Sequence, residues 1–189
     1  MKKMIKKLLF PYYKMKYGVP ALKSGGYIGK HSKIVNGKQM KFEKNVSIAP
    51  YTLICPHGKG VIHFGEGCEI GMFSRINANC FVSIGKNTIT GPNLFISDHN
   101  HNYLNPNLPI KMQGDLETNN QVLIGEDCWI GTNVCIVGNV EIGKHCVIGA
   151  NSFVNKSIPP YSVVVGNPAK IIKKYNFSTQ LWEKVKQKQ

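Results

Sequence analysis

Aliphatic residues recur at every sixth position between residues 122 and 154, where the chain reads VLIGEDCWIGTNVCIVGNVEIGKHCVIGANSFV. Glycine usually follows the aliphatic residue, as in the units IGEDCW, IGTNVC, IGKHCV and IGANSF. Helices repeat at about 3.6 residues and strands at about 2, so neither element alone accounts for this period. A fixed repeat of this kind is typical of stacked architectures such as hexapeptide β-helices.

The period extends upstream, with further units beginning at Ile28, Ile70, Ile76 and Ile84. A short strand followed by a turn makes one flat side, and three such sides close a triangular coil of about 18 residues. The aliphatic residue points inward and stacks on its equivalent in the next coil. The glycine beside it is expected to permit a tight corner, including positive φ. The sequence therefore predicts an all-β fold, a parallel β-helix of hexapeptide repeats.

Small or β-branched residues occupy the fifth position of each unit, which is expected to face the narrow interior. Four of the six cysteines, Cys68, Cys80, Cys128 and Cys146, fall at this position. Free cysteine packs as a small hydrophobe, so a core role is favoured over disulfide or metal binding. No CxxC pair occurs, and reduced thiols are expected in a cytoplasmic protein.

The repeat is interrupted between residues 99 and 121, where the sequence reads HNHNYLNPNLPIKMQGDLETNNQ. Structureless segments longer than about 12–15 residues are uncommon in compact domains and are often functional, so we expect an extruded loop. Residues 28–173 then form the repeat domain, and residues 1–27 a basic N-terminal segment that serves as a helical cap. Residues 174–189 are expected to form a helical tail, with Ser178 as its N-cap.

The formal charge of +14 is concentrated at the two ends of the sequence, because residues 1–17 and 170–189 hold six lysines each. The central part of the chain has nearly equal numbers of positive and negative charges. This argues against nucleic-acid binding, which requires a basic face on the folded body. Basic ends instead suit an anionic ligand or an anionic membrane surface. No apolar run is long enough to span a membrane, and no secretory signal is evident. We expect a cytoplasmic protein that the basic N-terminus can hold at the inner face of the membrane.

The segment IGEDCWIGTNVCIVGNVEIGKHCVIGANSFVNKSIPPYSVVVGNPAKII resembles the hexapeptide-repeat acyltransferases. The similarity is greatest to the branch that contains maltose, galactoside and surface-polysaccharide O-acetyltransferases. This resemblance implies a left-handed parallel β-helix, a homotrimer with active sites between subunits, and acetyl-CoA as the acyl donor. It implies no metal.

In that family a histidine at the start of the extruded loop acts as the general base, and His99 matches it. Imidazole suits this task at neutral pH. His101 is an alternative base, because residues two apart on an extended segment point the same way. Asp98 is expected on the opposite side of the strand, so Glu117 and Asp115 are the favoured carboxylate partners of the base. Glu117 corresponds to a loop glutamate of the galactoside enzymes.

Asn77 matches a family asparagine at the reacting centre and is expected to stabilise the oxyanion. Arg75, His101 and Asp98 are assigned to acceptor binding. For the CoA side, Trp129 is expected to cover the pantetheine arm, and Lys170 and Lys173 replace family arginines near the nucleotide phosphates. The complete predicted cofactor set comprises Trp129, Gly131, Thr132, Ala150, Asn155, Lys156, Lys170 and Lys173.

The favoured hypothesis is acetyl-CoA-dependent O-acetylation of a sugar hydroxyl in a surface or capsular polysaccharide or its precursor, by direct transfer. A second hypothesis changes the acceptor to a streptogramin-like antibiotic, serine or an amino sugar. A third is a zinc protein resembling the γ-class carbonic anhydrases, which needs three convergent histidines. A fourth is an inactive scaffold with the same fold.

Overall fold

A computed structural model describes residues 15–17, 25–116 and 119–185 of the chain. Short strands wind into a parallel β-helix with three flat sides, each of which is one sheet. The nine-stranded sheet contains, in spatial order, β1 (Tyr27–Ile28), β4 (Ser47–Ile48), β7 (Glu69–Ile70), β10 (Ile89–Thr90), β13 (Trp129–Ile130), β16 (Val147–Ile148), β18 (Ser162–Val165), β19 (Lys170–Asn176) and β20 (Leu181–Lys184). The six-stranded sheet contains β17 (Phe153–Val154), β14 (Cys135–Val137), β11 (Phe95–Ser97), β8 (Arg75–Ala78), β5 (Leu53–Pro56) and β2 (Lys33–Ile34). The five-stranded sheet contains β15 (Val140–Ile142), β12 (Gln121–Ile124), β9 (Phe81–Ile84), β6 (Val61–Phe64) and β3 (Met40–Phe42). Two 3-10 helices, Gly37–Gln39 and Ile110–Met112, lie outside the sheets.

The coils differ in length, which the repeat alone did not predict. Val122 pairs with Val140, eighteen residues later, as expected for three hexapeptides. Before the loop, however, Ile28 pairs with Ile48 and Ile48 with Ile70, so these coils are twenty and twenty-two residues long. The corner between the six-stranded and five-stranded sheets absorbs the difference, because the inward residues on its two sides are eight positions apart in Ile34 and Phe42, ten in Ile54 and Phe64, and six in Ile136 and Ile142.

The interior is a column of stacked aliphatic side chains, as the period predicted. The isoleucines that open the units are buried, among them Ile70, Ile76, Ile84, Ile130 and Ile148. The fifth-position residues Cys68, Cys128 and Cys146 are buried beside them, and Cys80 is half-buried. Burial raises the pKa of the Cys68 thiol to about 12, which keeps it protonated and unreactive. These cysteines therefore fill the core.

Glycine serves a different purpose from the one predicted. The glycines that follow the aliphatic residues do not have positive φ; that conformation falls on the fourth residue of each unit, as in Asp127, Asn133, His145 and Asn151. Asn and Asp tolerate this region better than most residues. A Cβ on Gly85 would lie 2.3 Å from the carbonyl carbon of Gly125 in the next coil. Glycine is therefore needed because the backbones of successive coils stack closely.

Residues 170–184 form a β-hairpin, so the helix predicted over residues 174–189 is wrong for its described part, residues 174–185. β19 pairs antiparallel with β18 and with β20. The hairpin covers the edge of β18, which would otherwise present unpaired backbone groups. Tyr175 and Trp182 are cross-strand partners whose ring centroids lie 5.5 Å apart. Ser178 lies in the turn and donates its N–H to Asn176 Oδ1 instead of capping a helix.

The predicted N-terminal cap lies mostly outside the described residues, which include only residues 15–17 before Gly25. The final residues 186–189 also lie outside them. The repeat domain begins with β1 at Tyr27. Within the described part of the chain, no helix combines the length and apolar character needed to cross a membrane.

The chain leaves the coil after β11 and returns at β12, so the extruded loop predicted for residues 99–121 is present, with Gln121 already part of β12. The two limbs of the loop pair with each other, since Asn102 N–H donates to the Gly114 carbonyl and Leu116 N–H to the Asn100 carbonyl. The solenoid resumes without distortion, because Val82 pairs directly with Val122 across the insertion. The loop therefore leaves and re-enters the stack at one place, between the six-stranded and five-stranded sheets.

Candidate active site

A cavity of about 560 Å³ opens where the loop leaves the six-stranded sheet. Parallel strands in register place Asn77 beside Ser97 on the outer face of this sheet. The loop supplies a second wall, and the turn after β5 supplies His57. The lining residues are His57, Arg75, Asn77, Phe95, Ser97, His99, Asn100, His101, Asp115 and Val137. Four predicted site residues, Arg75, Asn77, His99 and His101, thus share one cavity.

Asp98 lies beneath His99 and contacts it directly. Its Oδ1 is 3.1 Å from His99 Nδ1. The same carboxylate accepts backbone N–H hydrogen bonds from Asn79, Cys80 and Phe81 at 2.7, 2.8 and 2.9 Å. The prediction that Asp98 points away from the base is wrong, because β11 ends at Ser97 and strand alternation no longer applies. Asp98 is also completely buried, so its assignment to acceptor binding is wrong as well.

The environment of Asp98 keeps it ionised. Burial by itself would raise the pKa of this carboxyl, but hydrogen bonds from His99 and from the three backbone N–H groups outweigh burial and lower it. A carboxylate can only accept, so Nδ1 of His99 must carry a proton. In the neutral ring Nε2 is then the basic nitrogen. The His99 side chain is 15% exposed, which is enough for a ligand in the cavity to reach it.

His101 has its own carboxylate partner in the loop. Its Nδ1 lies 2.8 Å from Asp115 Oδ1, and both side chains are exposed. The other Asp115 oxygen accepts a 2.9 Å hydrogen bond from Asn79 Nδ2, which ties the loop to the coil. The bond from Asn79 lowers the pKa of Asp115, the bond from His101 adds to this effect, and slight burial opposes it. Asp115 therefore partners His101 and not His99. Glu117 lies outside the described residues.

Asn77 is nearly buried at the base of the cavity, with 5% of its surface exposed. Its Oδ1 accepts a 3.4 Å hydrogen bond from the Nε of Arg75. This bond orients the amide, so Nδ2 is the group that Asn77 can offer as a donor to a ligand. The arrangement fits the predicted role at the oxyanion.

His57 was assigned no role from the sequence. It is exposed, but its ring lies edge-on to His99 with centroids 5.8 Å apart. Pro56 pairs with Ala78 and Asn77 with Ser97, so residues 57, 79 and 99 follow one column. The alignment of residues 57, 79 and 99 could be found from the sequence only if the coil lengths of twenty-two and twenty residues were known. A strict count of hexapeptides does not give these lengths.

The residues predicted for CoA lie outside this cavity. Trp129 is 57% exposed on the nine-stranded sheet, between Ile89 and Val147. Gly131, Thr132 and Ala150 meet at the corner that follows, where a Cβ on Gly131 would lie 2.7 Å from Ala150 N and Asn151 N–H donates to the Thr132 carbonyl. Asn155 and Lys156 are exposed after β17, and Lys170 and Lys173 lie on β19. The structure brings together the corner residues but does not join this set to the cavity within one subunit.

The repeat region matches the bacterial transferase hexapeptide family (six repeats) over residues 121–156. The chain is 38% identical over 158 residues to WbbJ of Escherichia coli K12, whose name describes an O-acetyltransferase of lipopolysaccharide biosynthesis; the match covers 80% of each chain. The chain belongs to the hexapeptide-repeat acyltransferases. It is also 34% identical to the galactoside O-acetyltransferase of Lactococcus lactis, over 64% of this chain and 56% of the relative.

Solved structures of the hexapeptide-repeat acyltransferases share the fold. The N-acyltransferase AntD from Bacillus cereus, solved with dTDP and 3-hydroxybutyryl-CoA, has a TM-score of 0.75 with 18% sequence identity, covering 89% of this chain and 90% of AntD. The chain therefore has the left-handed β-helix fold, as the resemblance of its repeats implied, and its identity to WbbJ shows that it is an acyltransferase of this family. Among the described residues, no group of three or more histidine, cysteine or acidic side chains is arranged to hold a metal ion.

Proposed function

We propose that this acyltransferase transfers an acetyl group from acetyl-CoA to a sugar hydroxyl, with His99 as the general base. The observation that carries the proposal is the contact between His99 Nδ1 and the buried carboxylate of Asp98. A carboxylate that orients an imidazole and stabilises its protonated form is the arrangement required of a catalytic base. General base catalysis of this kind contributes about 10²–10⁴ in rate.

The reaction proceeds by direct transfer. As the sugar oxygen attacks the thioester carbonyl carbon, its proton moves to His99 Nε2, and Asp98 stabilises the resulting imidazolium. The carbonyl oxygen becomes an oxyanion, to which Asn77 Nδ2 can donate a hydrogen bond. Collapse of the tetrahedral intermediate breaks the carbon–sulfur bond. The CoA sulfur leaves with the proton held by His99, so the base is regenerated and no acyl-enzyme forms.

The donor is proposed to lie along the surface formed by Trp129 and the corner of Gly131, Thr132 and Ala150. Small residues at this corner allow a thin ligand to approach the backbone, and the exposed indole offers an apolar cover. Lys170 and Lys173 supply positive charge for the nucleotide phosphates. Because this surface is separate from the cavity within one subunit, we infer a homotrimer in which neighbouring subunits complete each site.

A polysaccharide or its precursor is the proposed acceptor. Two relatives support a sugar: WbbJ, named for lipopolysaccharide biosynthesis, and the galactoside O-acetyltransferase of Lactococcus lactis. We further propose a cytoplasmic location at the inner face of the membrane, where the six lysines of residues 1–17 meet anionic lipids. Deletion of residues 1–17 should abolish binding to anionic vesicles; unchanged binding would contradict the membrane role.

The experiment that tests the reaction is CoA release from acetyl-CoA with a panel of mono- and oligosaccharides. The product should gain one acetyl group by mass spectrometry and lose it in mild alkali, because esters hydrolyse there and amides do not. An alkali-stable product on an amino sugar would replace O-acetylation with N-acetylation. If the chain does not bind CoA at all, the acetyl-CoA proposal is overturned.

A further inference from the structure

The sequence contains a single arginine, Arg75, among its 24 basic residues, and the fold places it in the wall of the active-site cavity. The other 23 of these basic residues are lysines. Arginine differs from lysine because its planar guanidinium presents paired N–H donors that match the two oxygens of a carboxylate or a phosphate. A lone arginine at this position therefore points to recognition of a planar or multi-oxygen anion.

The surroundings of Arg75 hold the side chain but do not neutralise it. Its Nε donates to Asn77 Oδ1 at 3.4 Å, which leaves the two terminal nitrogens of the guanidinium for another partner. The residues beside it in the sheet are Leu53 and Phe95, neither of which has a polar side chain. No described residue forms an ion pair with Arg75.

Among the described residues, the carboxylate that lines the cavity, Asp115, and the one beneath it, Asp98, both have other partners. Asp98 is buried and accepts hydrogen bonds from His99 and three backbone N–H groups. Asp115 accepts from His101 and from Asn79. The cavity therefore contains one permanent positive charge that lacks a partner among the described residues, together with His57, whose role nothing in the reaction has yet explained.

We propose that the acceptor is an acidic saccharide, in which a carboxylate or phosphate close to the reacting hydroxyl binds the guanidinium of Arg75. This inference rests on the proposed acetyl transfer to a sugar. Because Arg75 and His99 line the same cavity, an anion held by Arg75 anchors the sugar ring while a neighbouring hydroxyl faces the base. His57, beside His99, is placed to donate a hydrogen bond to the same acceptor.

The test compares acidic acceptors with neutral counterparts of the same ring. The carboxylate arm uses a methyl glucuronoside and a methyl glucoside, and the phosphate arm uses a hexose 6-phosphate and the free hexose. Acetylation efficiency, as kcat/KM, is measured for the wild type, Arg75→Gln and Arg75→Lys. Binding of each sugar is measured separately by calorimetry in the presence of CoA, so recognition is read without turnover. CoA affinity reports whether the variants are folded.

The wild type should prefer the acidic member of at least one pair, and the arm that responds identifies the anion. Arg75→Gln should lower kcat/KM and affinity for the acidic sugar by about 10- to 100-fold, as expected for loss of a charge-assisted hydrogen bond, with CoA affinity unchanged. Arg75→Lys should give values of kcat/KM and affinity between those of the wild type and Arg75→Gln, since lysine keeps the charge but lacks the paired N–H donors of the guanidinium. The neutral sugar should lose less than the acidic one, because for it the variant removes only the bond that orients Asn77.

Equal use of acidic and neutral sugars, or an equal loss for both in Arg75→Gln, overturns the acidic acceptor and leaves the acetyl transfer standing. Failure of every sugar to accept acetyl, combined with binding of acidic sugars that depends on Arg75, overturns the transfer and supports the anion subsite. Absence of any charge-selective binding overturns the subsite.

Discussion

The Oδ1 of Asp98 lies 3.1 Å from the Nδ1 of His99, although the two residues are neighbours in the chain and would face opposite sides of a regular strand. The contact exists because β11 ends at Ser97 and because three backbone N–H groups at the junction of β8 and β9, in the preceding coil, donate to the Asp98 carboxylate. Those bonds fix the carboxylate, and the carboxylate orients the imidazole, which lines the cavity. The geometry of the proposed base thus depends on a turn in the adjacent coil.

His99→Gln should lower kcat by about 10²–10⁴, because glutamine cannot accept the proton of the attacking hydroxyl. CoA affinity and the thermal midpoint should stay close to those of the wild type, since the His99 side chain is partly exposed. Steady-state kinetics with the productive acceptor and calorimetric CoA binding provide the two measurements. A variant with near-normal kcat would assign the base elsewhere.

Asp98→Asn should reduce both catalysis and stability. The folded-state pKa of Asp98 is lower than its ordinary value, so the ionised carboxylate stabilises the fold. Replacement of one hydrogen-bonded charge should cost about 1.5–3 kcal/mol of unfolding free energy at pH 7. This difference between wild type and variant should shrink as pH falls below about 4, through the folded pKa. Urea unfolding between pH 7 and pH 3 tests it, and a pH-independent difference would contradict the assignment.

His101→Ala should retain activity within about tenfold of the wild type. His101 is exposed and its Nδ1 is paired with Asp115, so its removal affects the loop more than the base. The variant should be cleaved faster than the wild type by a protease within residues 100–115, because one tie between the loop limbs is lost. Complete inactivation of His101→Ala with an active His99→Ala would reverse the two roles.

Gly85→Ala should destabilise the protein by about 1–3 kcal/mol, because the new Cβ would lie 2.3 Å from a backbone carbon of the next coil. Gly149→Ala is the matched control. Its Cβ would meet mainly the side chain of Val165, at 2.6 Å, and the backbone atom reported nearest is 3.5 Å away. The Val165 side chain can move away from the new Cβ, whereas a backbone atom cannot. The control should therefore lose much less stability than Gly85→Ala. Equal thermal midpoints for the two variants would contradict the stacking role of glycine.

Trp182→Ala should loosen the C-terminal hairpin. Its ring packs against Tyr175 at 5.5 Å and stacks near His145 at 6.2 Å between centroids. Loss of these aromatic contacts should cost about 1–2 kcal/mol and increase hydrogen exchange in residues 170–184 ahead of the rest of the solenoid. Unchanged exchange in the hairpin would show that its backbone pairing with β18 is sufficient.

The structural features that depend only on a contiguous stretch of sequence were predictable from the sequence. A six-residue aliphatic period admits few structures, and it predicted the buried isoleucines, the core cysteines and the position of the extruded loop. His99 and Asn77 were found through the family resemblance of the motif around them. The C-terminal strands were not predicted, because the spacing of Leu181, Trp182 and Val185 also suits a helix. The open edge of β18, which only the fold provides, decides between the two structures.

The sequence by itself determined the stacked architecture, the family and the location of the extruded loop, because each depends on a repeat or motif contiguous in the chain. The tertiary structure decided which carboxylate contacts which histidine. It also placed His57 and the single arginine in the lining of the cavity, where the arginine has no ionic partner among the described residues. Two of the contacts behind these relationships join distant positions: Asn79 and Asp98 are nineteen residues apart, and His57 and His99 are forty-two apart. They depend on coil lengths that vary at one corner, and a repeat period cannot supply that register.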